Sequence, residues 1–231
     1  MARKFAIFVE GLTEQIFTIR LLSELASNHH IEFKVREQYK GRLGNSKFIS
    51  IMENGSPFVH VLIANCCNDE QVKTQIKDQY DSLTANGYNL IIGLRDVYPL
   101  THSDIKQLTK HLFTGMPNAS VPVHFHLAIL EIEAWFIEEQ SHFSRIDKNI
   151  TISQLASHGV TPEGLASDLS HPAEMLDLIY QSVGKRYNKE KNQIERTIDA
   201  LSYEELYINT RYKAPSLDGF ITSLEEGLGL V

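Results

Sequence analysis

Glu10, Asp96, Glu131 and Glu133 are the side chains of this sequence best suited to chemistry, because each carboxylate stands beside an apolar run instead of in a solvated charge cluster. Glu10 opens Glu10-Gly11-Leu12-Thr13-Glu14, directly after the apolar run Phe5–Val9. Gly11 permits a tight turn at small steric cost, and Thr13 is a good helix N-cap. Asp96 follows Leu90–Leu94 and precedes Pro99; Asp is poor within strands, so it marks a strand end. Glu131 and Glu133 flank Ile132 within Ile129–Phe136, a strongly apolar stretch. Grouped carboxylates are ligands for a hard divalent cation such as Mg²⁺ or Mn²⁺. Each also has a plainer reading: Glu10 as a solvated turn residue, Asp96 as the start of a turn, Glu131 and Glu133 as complements to a helix dipole.

Other patterns carry weaker signals. His124 and His126 alternate with apolar residues, a spacing zinc can use, but no zinc-protease helix motif accompanies them and an edge-strand face explains them as well. Cys66 and Cys67 are adjacent, which reads as reduced thiols at a strand end and not as a staple between distant segments. Trp135 reads as a core anchor. The sequence has no phosphate-binding Gly-rich loop, no Gly-x-Ser-x-Gly turn and no kinase signature.

Two basic stretches are placed to grip an anion. Lys34 to Lys47 holds Lys40, Arg42 and Lys47 around two glycines and reads as a mobile loop. Lys185, Arg186 and Lys189 form the second, on or before a helix, with a solvated face as the alternative for both. Either stretch could neutralise phosphates. With 29 acidic and 22 basic residues the net charge is −7, which argues against non-specific coating of nucleic acid and leaves room for a local basic surface.

These residues need a scaffold at strand ends. Through about residue 140, short apolar runs alternate with amphipathic stretches: Phe5–Val9, Ile31–Val35, Phe58–Ala64, Leu90–Leu94 and Val121–Leu127 read as strands, with helices after Thr13, around Val72–Leu83 and around Ile105–Leu112. This predicts an α/β fold, a mainly parallel sheet flanked by helices, whose sites lie at the carboxyl ends of strands. After about residue 145 the strand signal fades, and Pro172–Val183, Lys189–Leu201 and Pro215–Leu228 read as helices. The expected organisation is a core of residues 1–145 and a helical appendage, 146–231, packed on it. The 231 residues are 42% hydrophobic, enough for a substantial core. No apolar run approaches the roughly 18 residues that cross a bilayer, and the first apolar run is too short for a secretory leader; a cytoplasmic protein without membrane contact is expected.

In this order, Val9-Glu10-Gly11-Leu12-Thr13-Glu14, Asp96 after an apolar strand, and Glu131-Ile132-Glu133-Ala134-Trp135 resemble the Toprim fold of topoisomerases, bacterial primases and overcoming-lysogenization-defect nucleases. The third segment, with Tyr187-Asn188-Lys189 and the helix from Ser216 to Leu224, looks like a bacterial branch of Toprim-like proteins with a helical tail. The resemblance implies Mg²⁺-dependent cutting of DNA or RNA phosphodiesters. It implies Glu10 as general acid/base or metal ligand, Asp96 as metal ligand, and Glu131 and Glu133 completing the site. It also implies work beside a partner ATPase in defence against phage or other foreign nucleic acid. The family's second motif is Asp-x-Asp, whereas this chain has Asp96-Val97-Tyr98. That departure favours the competing reading, a non-catalytic module that binds a partner protein or nucleic acid.

Overall fold

In the heptapeptide Arg3–Val9, five successive buried apolar residues leave no face for solvent, so the segment is a strand covered on both sides. This is β1 of a computed structural model that describes residues 2–27, 30–39, 42–50, 58–117, 120–162 and 164–231, with backbone alone for 38–39 and 42–50. The other strands are β2 (Ile31–Tyr39), β3 (Arg42–Ser50), β4 (Val59–Asn65), β5 (Leu90–Asp96) and β6 (Val123–Ala128). Their order across the sheet is β3-β2-β4-β1-β5-β6. β1 pairs in parallel with β4 and β5, β4 in parallel with β2, and β3 returns antiparallel along β2. At β6, the Ile91 N–H donates to Pro122 O and the Val97 N–H to Ala128 O, each at 3.0 Å; the equal advance along both strands makes this pair parallel too.

The fold is therefore α/β, with a mainly parallel sheet flanked by helices and a helical C-terminal part, as the alternation predicts. Two local expectations are corrected. The stretch from Lys34 to Lys47, read as a loop, carries parts of β2 and β3, which pair up to Tyr39 and Arg42; Gly44 looks like a loop signal locally, but cross-strand hydrogen bonding overrides it. Thr13 is not a cap either. Helix α1 (Leu12–Ala26) starts after Gly11, and Thr13 is buried in its first turn.

The chain divides into two compact units. Unit 1 comprises Met1–Arg95, Ser103–Leu127 and Thr222–Val231; unit 2 comprises Asp96–His102 and Ala128–Ile221. The sheet belongs to unit 1 except for the last residue of β5 and of β6, where the chain passes into unit 2. Residue 145, near which composition places a boundary, falls inside a helix of unit 2.

Within unit 1, alternate residues of the sheet face different helices. Ala6, Phe8, Leu62, Ala64 and Ile91 form a core with Val72, Ile76, Tyr80 and Leu83 of α2 (Asp69–Ala85). On the opposite face, Phe5 meets Gly227, where an added Cβ would come within 2.9 Å of the ring. A side chain at Gly93 of β5 would likewise approach Phe125 to 2.7 Å and Ile76 to 3.0 Å, so the close packing there requires glycine. The Tyr80 hydroxyl donates to Val121 O (2.8 Å) and accepts from the Val121 N–H (2.9 Å), which satisfies its one polar group. Helix α3 (Ile105–Phe113) completes the unit's connections.

Unit 2 is built from short helices: α4 (Glu133–Glu138), α5 (His142–Ile146), α6 (Ile152–Ser157), α7 (Pro172–Gln181), α8 (Lys191–Ala200), α9 (Tyr203–Glu205) and α10 (Arg211–Lys213), followed by α11 (Pro215–Leu228), within which the chain returns to unit 1. Trp135 is buried and stacks on Phe220, with ring centroids 5.9 Å apart, as a core anchor would. Its indole N–H donates to Ser216 Oγ at 3.0 Å. Among the described residues, no helix is long and apolar enough to cross a membrane.

Candidate functional site

The end of β5 and the segment that leads into α4 run side by side in unit 2. Beyond the Val97–Ala128 bond, the Tyr98 N–H donates to Leu130 O at 2.7 Å. Leu130 has φ +62°, a left-handed conformation that costs about a kilocalorie or more for a non-glycine residue. The chain turns there, and the Ile132 N–H donates to Asp96 Oδ1 at 3.0 Å. Asp96 is thus fixed against the backbone between Glu131 and Glu133.

The two glutamates are held from other directions. The Ala173 N–H, in the first turn of α7, donates to Glu131 Oε2 at 2.9 Å, satisfying a donor that the helix itself cannot. Glu133 has no exposed surface. Its Oε1 accepts from the Tyr187 hydroxyl at 2.8 Å. Lys189 Nζ lies 3.2 Å from Glu131 Oε1 and 3.2 Å from Glu133 Oε2. That second approach is an ion pair without hydrogen-bond direction, for Glu133 Oε2 accepts no hydrogen bond. Burial pushes the Glu133 carboxyl above its ordinary range, and Glu131 adds to the rise; Lys189 and the Tyr187 hydroxyl oppose it without cancelling it.

Asp96, Glu131 and Glu133 each present an oxygen within 4.8 Å of the others. Such an all-carboxylate donor set fits a hard divalent cation and offers no soft ligand for copper or an iron–sulfur cluster. A cleft of about 440 Å³ adjoins Lys189, lined also by Glu174, Asp177, Gln181, Tyr187 and Asn188.

Of the four carboxylates singled out in the sequence, three come together. Glu10 is not a member of this group. It follows the last residue of β1 in unit 1, one step beyond the Val9–Leu94 register pair. Each described cation of the second basic stretch has an acidic partner. Lys185 pairs with Asp147 at 2.8 Å and Arg186 with Asp177 at 3.1 Å, while Lys189 faces the carboxylate group. Lys40 and the side chains of Arg42 and Lys47 lie outside the described residues. Tyr187 as a partner of Glu133 carries no local signal, since 54 residues separate the two.

His124 and His126 belong to edge strand β6 and contact one hydroxyl: Ser223 Oγ lies 2.9 Å from His124 Nδ1 and from His126 Nε2. Neither Cys66 nor Cys67 takes part in a disulfide, and burial pushes the Cys66 thiol up to about 12.

A family model described as Domain of unknown function (DUF4276) matches residues 9–225. The chain belongs to that family. Its matched region contains every residue of the carboxylate group together with Tyr187 and Lys189. No curated protein matches the chain. Among solved structures, it is similar to a protein from Lactobacillus plantarum WCFS1 assigned as a cell surface hydrolase, with 13% identity over 61% of this chain and 57% of that one and a TM-score of 0.29. A likeness at that level transfers neither fold nor activity.

Proposed function

We propose that this chain is a Mg²⁺-dependent nuclease of Toprim-like kind that hydrolyses DNA or RNA phosphodiesters, beside a partner ATPase, in bacterial defence against foreign nucleic acid. The observation that carries the reading is the group of Asp96, Glu131 and Glu133, with oxygens within 4.8 Å of one another and a cleft beside it. Asp96, Glu131 and Glu133 would hold the cation. When bound, Mg²⁺ would neutralise charge on the phosphate and acidify a water. The chain's own groups supply the rest. The Ile132 N–H and the Ala173 N–H fix Asp96 and Glu131. Glu133 is a buried carboxyl that burial pushes above its ordinary range, with the Tyr187 hydroxyl holding its Oε1.

A second reading, a non-catalytic module that binds a partner protein or nucleic acid, draws on Lys189, which already neutralises part of the group. The absence of a carboxylate at Tyr98 favours it too.

The test is cleavage of labelled duplex and single strands with Mg²⁺ or Mn²⁺, with and without a candidate partner ATPase. Wild type is expected to cut, and Asp96→Asn to cut more slowly by on the order of a hundredfold or more. Glu10→Gln, at the position the Toprim resemblance makes a general acid/base or metal ligand, is expected to slow cutting strongly as well. A wild type inert on every substrate with its partner present supports the module reading.

A further inference from the structure

The Lys189 ammonium sits where a cation would sit, 3.2 Å from one oxygen of Glu131 and 3.2 Å from one of Glu133. We infer that Lys189 is the resident cation of the carboxylate group, and that a divalent ion loads the site by displacing it. The inference rests on the metal reading above and adds the residue that gates it.

Two independent features point this way. The first is Glu133 Oε2, a carboxylate oxygen of a fully buried side chain that accepts no hydrogen bond. Buried carboxylate oxygens are normally satisfied, and this one is turned toward cationic charge. The second is the contrast in freedom around it. Glu133 has no exposed surface and is fixed by Tyr187, and Asp96 and Glu131 are fixed by backbone N–H groups. The Lys189 side chain is 40% exposed and lines the cleft of about 440 Å³. Of the charged groups present, the lysine has somewhere to go without opening the core.

The backbone around Lys189 is arranged for presentation of this side chain. Its φ of +56° is left-handed and costly for a residue with a Cβ. The conformation is held by neighbours: the Tyr187 N–H donates to Asp177 Oδ1 at 2.6 Å and the Asn188 N–H to Gln193 Oε1 at 2.5 Å. A lysine serving only as a surface counter-ion needs no such support, because half-exposed ion pairs contribute little. When the ammonium swings out, it remains at the cleft, and the three carboxylates turn their charge to the incoming ion.

The experiment is calorimetric titration of the full chain with Mn²⁺, comparing wild type, Lys189→Met and Lys189→Ala. Removing the internal competitor is expected to tighten Mn²⁺ binding about tenfold or more in both variants. Should either variant fail to fold alone, Mn²⁺ is expected to restore its far-ultraviolet circular dichroism. If wild type binds and both variants bind equally or more weakly, or stay unfolded with Mn²⁺, the exchange is overturned and the metal reading stands. If no protein binds Mn²⁺, the metal reading itself falls, and the exchange with it.

Discussion

In unit 1 the inward side chains of β1 and β5 are almost all apolar, from Phe5 to Val9 and from Leu90 to Leu94, whereas unit 2 encloses Asp96, Glu133, Glu138, Glu139 and His142. The first arrangement gains stability in rough proportion to apolar area removed from water. The second pays for desolvation with specific partners and is stable only while each is present. Glu139 shows the pattern: its Oε1 accepts from the Ser141 N–H at 3.0 Å, and its Oε2 from the Ser202 N–H at 3.0 Å and Arg145 at 3.2 Å. Burial still pushes this carboxyl up.

The comparison breaks most visibly if the sheet tolerates a cavity. Phe8→Ala empties a fully buried position in the core shared with α2 and is expected to cost about 3–5 kcal/mol by urea denaturation. In protein that remains folded, Mn²⁺ binding should be unchanged; a lost Mn²⁺ response would show that the two units are not independent in this sense. A smaller effect is expected from Tyr187→Phe, which deletes the hydroxyl that donates to Glu133 Oε1. Stability should fall by about 1.5–3 kcal/mol, the range for a hydrogen bond to a charged acceptor, and the Glu133 carboxyl should rise further. Carbon-detected NMR titration of the carboxyl reads the second effect; an unmoved titration would remove Tyr187 from the site.

The smallest effect sharpens the comparison through pH. Burial holds His142 at about 4, well below the ordinary imidazole value of 6.5. Between these values the unfolded chain takes up a proton that the folded chain refuses, so stability falls as pH drops below 6.5. From pH 7 to pH 5.5, wild type should lose about 1 kcal/mol more than His142→Phe. His126 of unit 1, also held at about 4, contributes with the same sign, and the raised Glu133 and Glu139 oppose it. All three are common to both proteins, so the difference isolates His142. Equal slopes for the two proteins would show that His142 titrates normally.

Most of the sheet could be read from the chain. Phe5–Val9 and Leu90–Leu94 announce β1 and β5, because a strand buried on both faces must be apolar at every position, and the alternation in Val121–Leu127 announces most of the edge strand β6. Pro172 and Pro215 mark the starts of α7 and α11, since proline suits the first turn of a helix and not its interior. β3 escaped because Arg42–Ser50 has glycine and several polar residues, and its pairing with β2 supplies what local propensity lacks.

The carboxylates themselves were legible for a local reason: Asp96, Glu131 and Glu133 interrupt apolar runs, and such interruptions are costly unless something uses them. By itself, then, the sequence determined the α/β class, the strands of the parallel sheet and three of the acids that meet. Tertiary structure alone decided the membership of the group. It brought Lys189 to Glu131 and Glu133 and set Tyr187 against Glu133. The physical reason is range. Periodicity and propensity act over a few residues, whereas a buried charge is satisfied by whatever the fold brings within about 3 Å of it, however distant along the chain.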